Sequence, residues 1–230
     1  MSVAGYPAHL IARNPDALVK YNWCGVAFGV YCERTIITGD RVVPGMSVMA
    51  LRETGLGNNG ISSARKAIIM RFKSYSNPKA QPAIRRAATH SLLYDKFLVA
   101  ANGWNNGYVP LVPIRMLAHL TGGGLKGKFV EDMLFPRGLS ATLDNLWNPP
   151  AIMRQCAKWR GMNEKECYET WHGGQRVLAV IDREEEKQFV ALARSFGLQA
   201  RRAGEITKRR RPTVTVTSKF SGKKLTWHAK

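Results

Sequence analysis

The chain has 230 residues, 45% of them hydrophobic and 22% charged, enough for one substantial core and typical of a globular protein. No apolar run approaches the roughly 20 residues a membrane helix needs, and residues 1–15 lack the charged, apolar and small-residue order of a signal peptide, so a cytoplasmic location is expected. Lys and Arg number 35 against 16 Asp and Glu, a net charge of +19, and such a field attracts polyanions: nucleotides, sugar phosphates, RNA or an acidic protein.

Residues 26–37 (VAFGVYCERTII) are rich in β-branched and aromatic side chains and predict a mostly buried strand. Residues 47–51 predict a second. A glycine-asparagine loop, residues 55–60 (GLGNNG), then leads into a helix on which Ile61, Ala64 and Ile68 share one face. Residues 77–82 break that helix, and 83–101 predict another, carrying Arg85, Arg86 and Lys96. Residues 102–110 (NGWNNGYVP) form a turn-rich, polar-aromatic linker.

Apolar stretches at 112–117 and 129–134 flank the sequence His119-Leu120-Thr121-Gly122-Gly123-Gly124-Leu125. A short strand is expected at 141–143, and Asn148-Pro149-Pro150 places prolines in the first turn of a helix with Ile152, Met153, Cys156 and Ala157 on its buried face. Asn163 with Glu166 has the spacing of a capping box, opening a helix with Cys167, Tyr168 and Trp171. His172-Gly173-Gly174 precedes a strand at 177–181, and Asp182 with Glu185 repeats the capping pattern before a helix whose core residues are Phe189, Leu192, Ala193 and Phe196, closed by Gly197. From Arg201 onward there are ten basic residues against one acidic. Thr213 to Thr217 alternates as an edge strand would, and residues 220–227 are expected to pair with it. Strands separated by helices define an α/β (α+β) domain: a mixed sheet with helices packed on it, plus a basic C-terminal hairpin or tail.

Cys24 and Cys32 lie too far apart along extended chain to bridge, and Cys156 and Cys167 fall on apolar helix faces. No cysteine has zinc-ligand spacing, so all four read as reduced core thiols and no metal site is expected.

Three glycine-bearing stretches carry the candidate chemistry. The triple glycine leaves backbone N–H groups bare and permits positive φ, so Thr121, Gly122, Gly123 and Gly124 can close around an anion while His119 donates to a phosphate or moves a proton. A flexible turn beside a structural histidine accounts for the same residues. Asn58, Asn59 and Gly60 sit between a strand and a helix start, where free N–H groups and a positive dipole end face an anion; a tight connection without a ligand is the other reading. His172, Gly173 and Gly174 form a third such stretch. The run Lys208, Arg209, Arg210, Arg211 suits a polyanion or is simply a solvated face.

Taken in order, these segments resemble one family, the phosphoribosylformylglycinamidine cyclo-ligases (AIR synthetases), and in particular their C-terminal domain. Residues 25–33 (GVAFGVYCE) resemble the family's Gly-x-x-x-Gly-Val strand, and 45–66 (GMSVMALRETGLGNNGISSARK) resemble its strand, Ser-Gly-Leu-His-Ser-Asn-Gly loop and helix. Residues 119–125 (HLTGGGL) match its His-Ile-Thr-Gly-Gly-Gly motif, and 169–180 (ETWHGGQRVLAV) resemble its Arg-Thr-Phe-Asn-Met-Gly segment and strand. Gly57 stands where the family's first loop has histidine, and His172 where the last motif has asparagine.

The resemblance implies use of ATP and Mg²⁺ to activate the formyl oxygen of formylglycinamidine ribonucleotide, after which an internal nitrogen closes the imidazole ring of aminoimidazole ribonucleotide. It implies a substrate- and phosphate-binding role for the three glycine stretches and an acid–base or orienting role for His119. The expected organisation is a lead-in at 1–22, the remnant of a junction to an absent ATP-binding domain, then the cyclo-ligase C-terminal-like domain at 23–207 and a basic tail at 208–230. Such a chain is expected to be inactive alone, working with a separate chain that carries the ATP-binding domain or by self-association. The alternative is a degenerate, non-catalytic scaffold that binds RNA or a nucleoprotein through the tail. Other members of the same ATP-binding superfamily, hydrogenase maturation factors among them, fit the Trp147 and Trp171 contexts less well.

Overall fold

A computed structural model describes residue 26 and residues 28–57 and 60–230. The chain divides into two compact units, residues 1–33 and 34–230. Among the described residues of the first there is no strand: Val26, Phe28, Val30 and Tyr31 are exposed, and Glu33 opens a short 3-10 turn, Glu33–Thr35. The buried strand expected over 26–37 is therefore not formed. β-branched composition favours extended chain, but a strand also needs a hydrogen-bonded neighbour, and no described strand pairs with this stretch.

The second unit is built on a seven-stranded sheet. Its strands are β1 (Ser47–Arg52), β2 (Ile114–His119), β3 (Ser140–Leu143), β4 (Gln175–Ile181), β5 (Ala200–Thr207), β6 (Thr213–Thr217) and β7 (Lys224–His228), in the spatial order β2-β4-β1-β5-β3-β6-β7. Every neighbouring pair is antiparallel except β3 and β6, which run parallel. Central strands covered on both faces read as continuous apolar runs, and β4 is buried along its whole length. On one face Val48, Ala50, Leu178 and Val180 pack with Phe129, Val130 and Leu134 of a π-helical segment, Lys126–Leu134. On the other, Met49, Leu51, Ala179 and Ile181 meet Phe97 and Phe189, whose rings stack edge to face at 5.1 Å. Each such side chain taken fully out of water contributes about 1.5–3 kcal/mol.

The α-helices are α1 (Ile61–Phe72), α2 (Gln81–Ala87), α3 (Asp95–Ala101), α4 (Ala151–Arg160), α5 (Glu164–Thr170) and α6 (Glu186–Ser195). Phe97 lies on α3 and Phe189 on α6, so these two cover the second face. Helices α1, α2 and α4 bury a separate cluster that includes Ala64, Ile68, Ala83, Ile152 and Met153, closed by Trp171. The buried face of α4 is the one its spacing predicts, and the Asn163–Glu166 capping box of α5 forms in both directions, at 3.0 and 2.8 Å.

Several elements differ from expectation for identifiable reasons. Ile61 is exposed, because it opens α1 and the inward face begins a turn later at Ala64 and Ala67. The single helix expected over 83–101 is two, α2 and α3, since the intervening Leu92 N–H is captured by the Glu53 carboxylate. Pro149 and Pro150 precede α4, with Pro150 as its cap residue. Asp182 makes no cap bond to α6 or to the turn before it; Arg115 takes its carboxylate through two nitrogens, at 3.1 and 2.6 Å. Leu192 and Phe196 are only partly covered. β6 is not an edge strand: it lies between β3 and β7, and Val214, Val216 and Trp227 belong to the main core. The expected C-terminal hairpin forms and extends the sheet. No helix among the described residues is long and apolar enough to cross a membrane.

Cys156 and Cys167 are buried free thiols, raised by burial to about 11 and about 12, where a thiol is inert. Cys32 is only partly buried, so it is not a core thiol, and Cys24 lies outside the described residues.

Candidate functional site

The three glycine motifs, spread in sequence over residues 55–174, meet at one end of β4 and β2. His172 reaches back to the first loop: its Nε2 lies 3.1 Å from the Gly55 carbonyl while its Nδ1 accepts the Gly174 N–H at 3.0 Å. An Nδ1 that accepts leaves the proton on Nε2, which donates to Gly55. Trp171, at the end of α5, donates its indole N–H to the Gly60 carbonyl at 3.3 Å, and its own carbonyl lies against Gly124. Lys126, just past the triple glycine, bridges to Glu169 of α5 at 3.0 Å.

The centre of this junction is Arg176, 3% exposed. Its position follows from an irregularity in β4. Leu51 of β1 pairs with Val177 and Arg52 with Gln175, so Arg176 is the extra residue of a bulge. Bulges re-aim side chains next to sites, and here the guanidinium turns to the two loops: Nε donates to His119 Nε2 at 3.1 Å and Nη1 to the Leu56 carbonyl at 3.4 Å. The neighbouring anion is Glu53, 1% exposed. Its carboxylate receives the N–H groups of Thr54 and Gly55 at 2.8 and 3.1 Å and that of Leu92 at 3.3 Å, with the Tyr94 hydroxyl at 3.4 Å. Burial lowers the Arg176 pKa and Glu53 opposes that; an arginine remains charged throughout the physiological range. Burial, then Glu53, pushes the Tyr94 phenol far above its ordinary value, so it stays a neutral donor.

His119 is exposed as a residue, yet its ring is partly desolvated where it meets Arg176, and its pKa is lowered first by that desolvation and then by the Arg176 charge. Because Nε2 accepts from Arg176, the ring is the neutral tautomer with its proton on Nδ1. The geometry makes His119 a hydrogen-bond donor more readily than a proton carrier. Gly122 and Gly123 are exposed beside it, and Gly122 has open space around it. These residues form the mouth of the site, and Thr121 is partly buried behind them.

Other members of the expected set have packing roles. Gly124 is buried at φ +61, and a side chain there would overlap the Tyr168 carbonyl. Gly173 and Gly174 are also buried, at φ +66 and +106, against the Tyr168 ring and the Asn148 carbonyl. His172 is fully buried with both nitrogens engaged, and burial together with Arg176 depresses it to about 3. These four positions lock the loops together and offer no open anion cradle. Gly60 is filled against by Trp171. Asn58 and Asn59 lie outside the described residues. Lys208, Arg209, Arg210 and Arg211 are exposed in the connection from β5 to β6. β6 is four strand positions from β4, about 19 Å at ordinary strand spacing, so the run is not part of this site.

Arg176, Glu53 and Tyr94 were not singled out from sequence. The available signal was Arg176 itself, a charged residue within QRVLAVI, where full burial admits a cation only with a purpose. Among the described residues no group of three or more His, Cys, Asp or Glu could hold a metal ion. Glu53 spends its oxygens on backbone N–H groups and Tyr94. The donors present suit an anion; they do not suit Mg²⁺.

A mixed sheet with helices on both faces, joined by glycine loops that meet over a buried cation, makes this a mixed α/β domain. Residues 43–217 match the family model described as AIR synthase related protein, C-terminal domain, and the chain belongs to that family. It is similar to the phosphoribosylformylglycinamidine cyclo-ligase of Anaeromyxobacter dehalogenans, 31% identical over 193 residues covering 81% of this chain and 53% of that protein. It is also similar to that of Thermodesulfovibrio yellowstonii, 25% identical over 205 residues covering 86% and 56%. The chain thus spans about half the length of the curated relatives it matches. Among solved structures it is similar in fold to the hydrogenase maturation protein HypE in complex with ATP, with a TM-score of 0.52, 15% identity and coverage of 84% of this chain and 53% of that one. Escherichia coli HypE gives 0.51, with 14% identity over 82% and 51%.

Proposed function

We propose that this chain supplies the substrate-binding part of an ATP-dependent cyclo-ligase of purine biosynthesis, acting on formylglycinamidine ribonucleotide, with ATP and Mg²⁺ held by a separate chain that carries the ATP-binding domain. The observation that supports this most directly is the convergence of the three motifs on one exposed mouth, His119-Gly122-Gly123, above the buried Arg176 charge. In this reading the Gly122 and Gly123 N–H groups receive a phosphate or phosphoryl oxygen, and His119 Nδ1–H donates to the formyl oxygen as negative charge grows there. Arg176 works from below: buried in low dielectric, its charge favours an anion at the mouth more than a solvated cation would. ATP supplies the activation of the formyl oxygen; this chain binds and orients. The organisation that goes with the proposal is a cyclo-ligase C-terminal-like domain over 23–207 preceded by a lead-in, with the 208–230 hairpin completing the sheet.

Calorimetric titration of the full chain with formylglycinamidine ribonucleotide and with its dephosphorylated nucleoside tests the reading. The ribonucleotide should bind at least tenfold more tightly than the nucleoside. Equal affinity, or no binding of either, sinks it.

A second reading, a degenerate domain kept for binding, is favoured by one observation: Gly57 replaces the family's loop histidine, and Arg176 and Ser91 fill the space beside it. Adding a relative's ATP-binding domain separates the two. Ring closure in the mixture supports the split enzyme, and its absence while the ribonucleotide is bound supports the degenerate one.

A further inference from the structure

We infer that the outer face of the layer formed by α1, α2 and α4 is a binding surface for single-stranded nucleic acid, independent of the glycine-loop site and of the cyclo-ligase reading. The chain has no Asp or Glu between Glu53 and Asp95, nor between Asp144 and Glu164. Those two stretches contain all of α1, α2 and α4, and they fold into one packed layer around Ala64, Ile68, Ala83 and Ile152. Their outward positions include Arg65 and Lys66 on α1, Arg85 and Arg86 on α2, and Arg154 and Lys158 on α4, all exposed. Cross-ties make this a continuous surface: Arg86 donates to Gln155 at 3.0 Å, and Arg160 donates to the Ser63 hydroxyl.

Elsewhere the cations find carboxylates, as Lys126, Lys128, Arg115 and Arg183 do at 2.6–3.0 Å. Among the described residues no cation of this layer forms an ion pair. A set of unpaired like charges raises the energy of the free protein, and counterions or a polyanion relieve it. The charge alone would suit any polyanion. The aromatic content narrows it: half-buried Phe72, Tyr75 and Trp159 sit among these cations, with Arg65 5.8 Å from the centre of the Tyr75 ring and Phe72 edge-on to Trp159 at 5.3 Å. Cations that track phosphates beside ring faces that stack bases are the pattern of single-strand binding. Among the described residues no cation–ring contact involves Lys208–Arg211, which lie in the connection from β5 to β6. The helical layer, not the tail, is therefore the surface assigned.

The test is fluorescence anisotropy of a labelled 20-nucleotide RNA with the full chain across a salt series. About six phosphate contacts give log K a slope near −4 against log salt, at about 0.7 per phosphate for single strands. Replacing Lys66, Arg85 and Lys158 together by Glu should weaken binding at least tenfold, whereas Lys208→Glu, Arg209→Glu and Arg210→Glu together should change it less than twofold. Ultraviolet crosslinks on the unmutated protein, mapped to peptides within 61–88 and 151–160, give an answer that needs no variant to fold. Loss of binding in the 208–210 variant alone, crosslinks confined to the C-terminal hairpin, or displacement of the RNA by polyglutamate at equal charge would overturn the assignment, the last by pointing to an acidic protein.

Discussion

The guanidinium of Arg176 occupies the space that any side chain at position 57 would enter. A Cβ on Gly57 would lie 2.8 Å from Arg176 Nη1 and 2.5 Å from Ser91 Oγ, and the position itself has φ +63. A side chain at position 57 and this placement of the arginine are thus alternatives. Gly57→His should cost about 2–4 kcal/mol, from left-handed strain and overpacking. Arg176→Ala should also destabilise, by leaving buried Glu53 without its cation. The double variant should lose less than the two single costs combined, with a coupling of at least about 1 kcal/mol. Urea unfolding of the four proteins measures it, and strict additivity would mean that the two positions do not share this space.

The same arginine sets the charge state of His119. Two causes lower its pKa, burial of the ring and the Arg176 charge 3.1 Å from Nε2. In Arg176→Ala the second is gone and Nε2 is released to take a proton, so the midpoint should rise toward the ordinary histidine value. Proton NMR of the His119 ring reads this directly. If His119 carries the proposed donor role, ribonucleotide affinity in the unmutated chain should stay flat from pH 8 down to about 6.5 and change only below it.

Neighbouring glycines of one motif should behave in opposite ways. Gly122 has ordinary φ and nothing within 4 Å of an added Cβ, whereas Gly124 has φ +61 and closes on the Tyr168 and Trp171 carbonyls. Gly122→Ala should shift stability by less than about 1 kcal/mol. Gly124→Ala should cost about 3 kcal/mol or more and disturb the Trp171 environment, since the clash is with backbone that cannot swing aside. Chemical denaturation followed by tryptophan fluorescence distinguishes them.

What the sequence revealed depended on whether a residue's role was local. The capping box of α5, the buried face of α4 and the strand before the first loop are set by neighbours a few residues away, and periodicity finds them. The site is not local. That His172 clamps Gly55, or that Arg176 points at His119, follows from the β1–β4–β2 pairing and from the bulge at Arg176, and neither has a signature in spacing. Glycine marked loops that converge in the fold but not their division of labour: Gly122 and Gly123 face outward while Gly124, Gly173 and Gly174 fill tight contacts. The failed strand at 26–37 shows the converse. Its composition was suitable, and composition cannot supply a partner strand.

His172 makes the fold acid-sensitive. Burial holds its pKa near 3 in the folded chain against about 6.5 when unfolded. Between these values the unfolded state binds the proton and the folded state does not, so stability falls as pH drops below about 6.5, by up to about 1.4 kcal/mol per pH unit from this group. His119 adds to the same trend, since its pKa is lowered as well. Asparagine, the residue of the family motif, offers an acceptor for the Gly174 N–H and a donor for the Gly55 carbonyl without a titrating ring. His172→Asn should therefore flatten stability between pH 6.5 and 5 to the part due to His119, whatever it does to stability at pH 8. Urea midpoints across that range check it. An unchanged slope would mean that His172 is solvated or already protonated in the folded protein, contrary to its two short bonds.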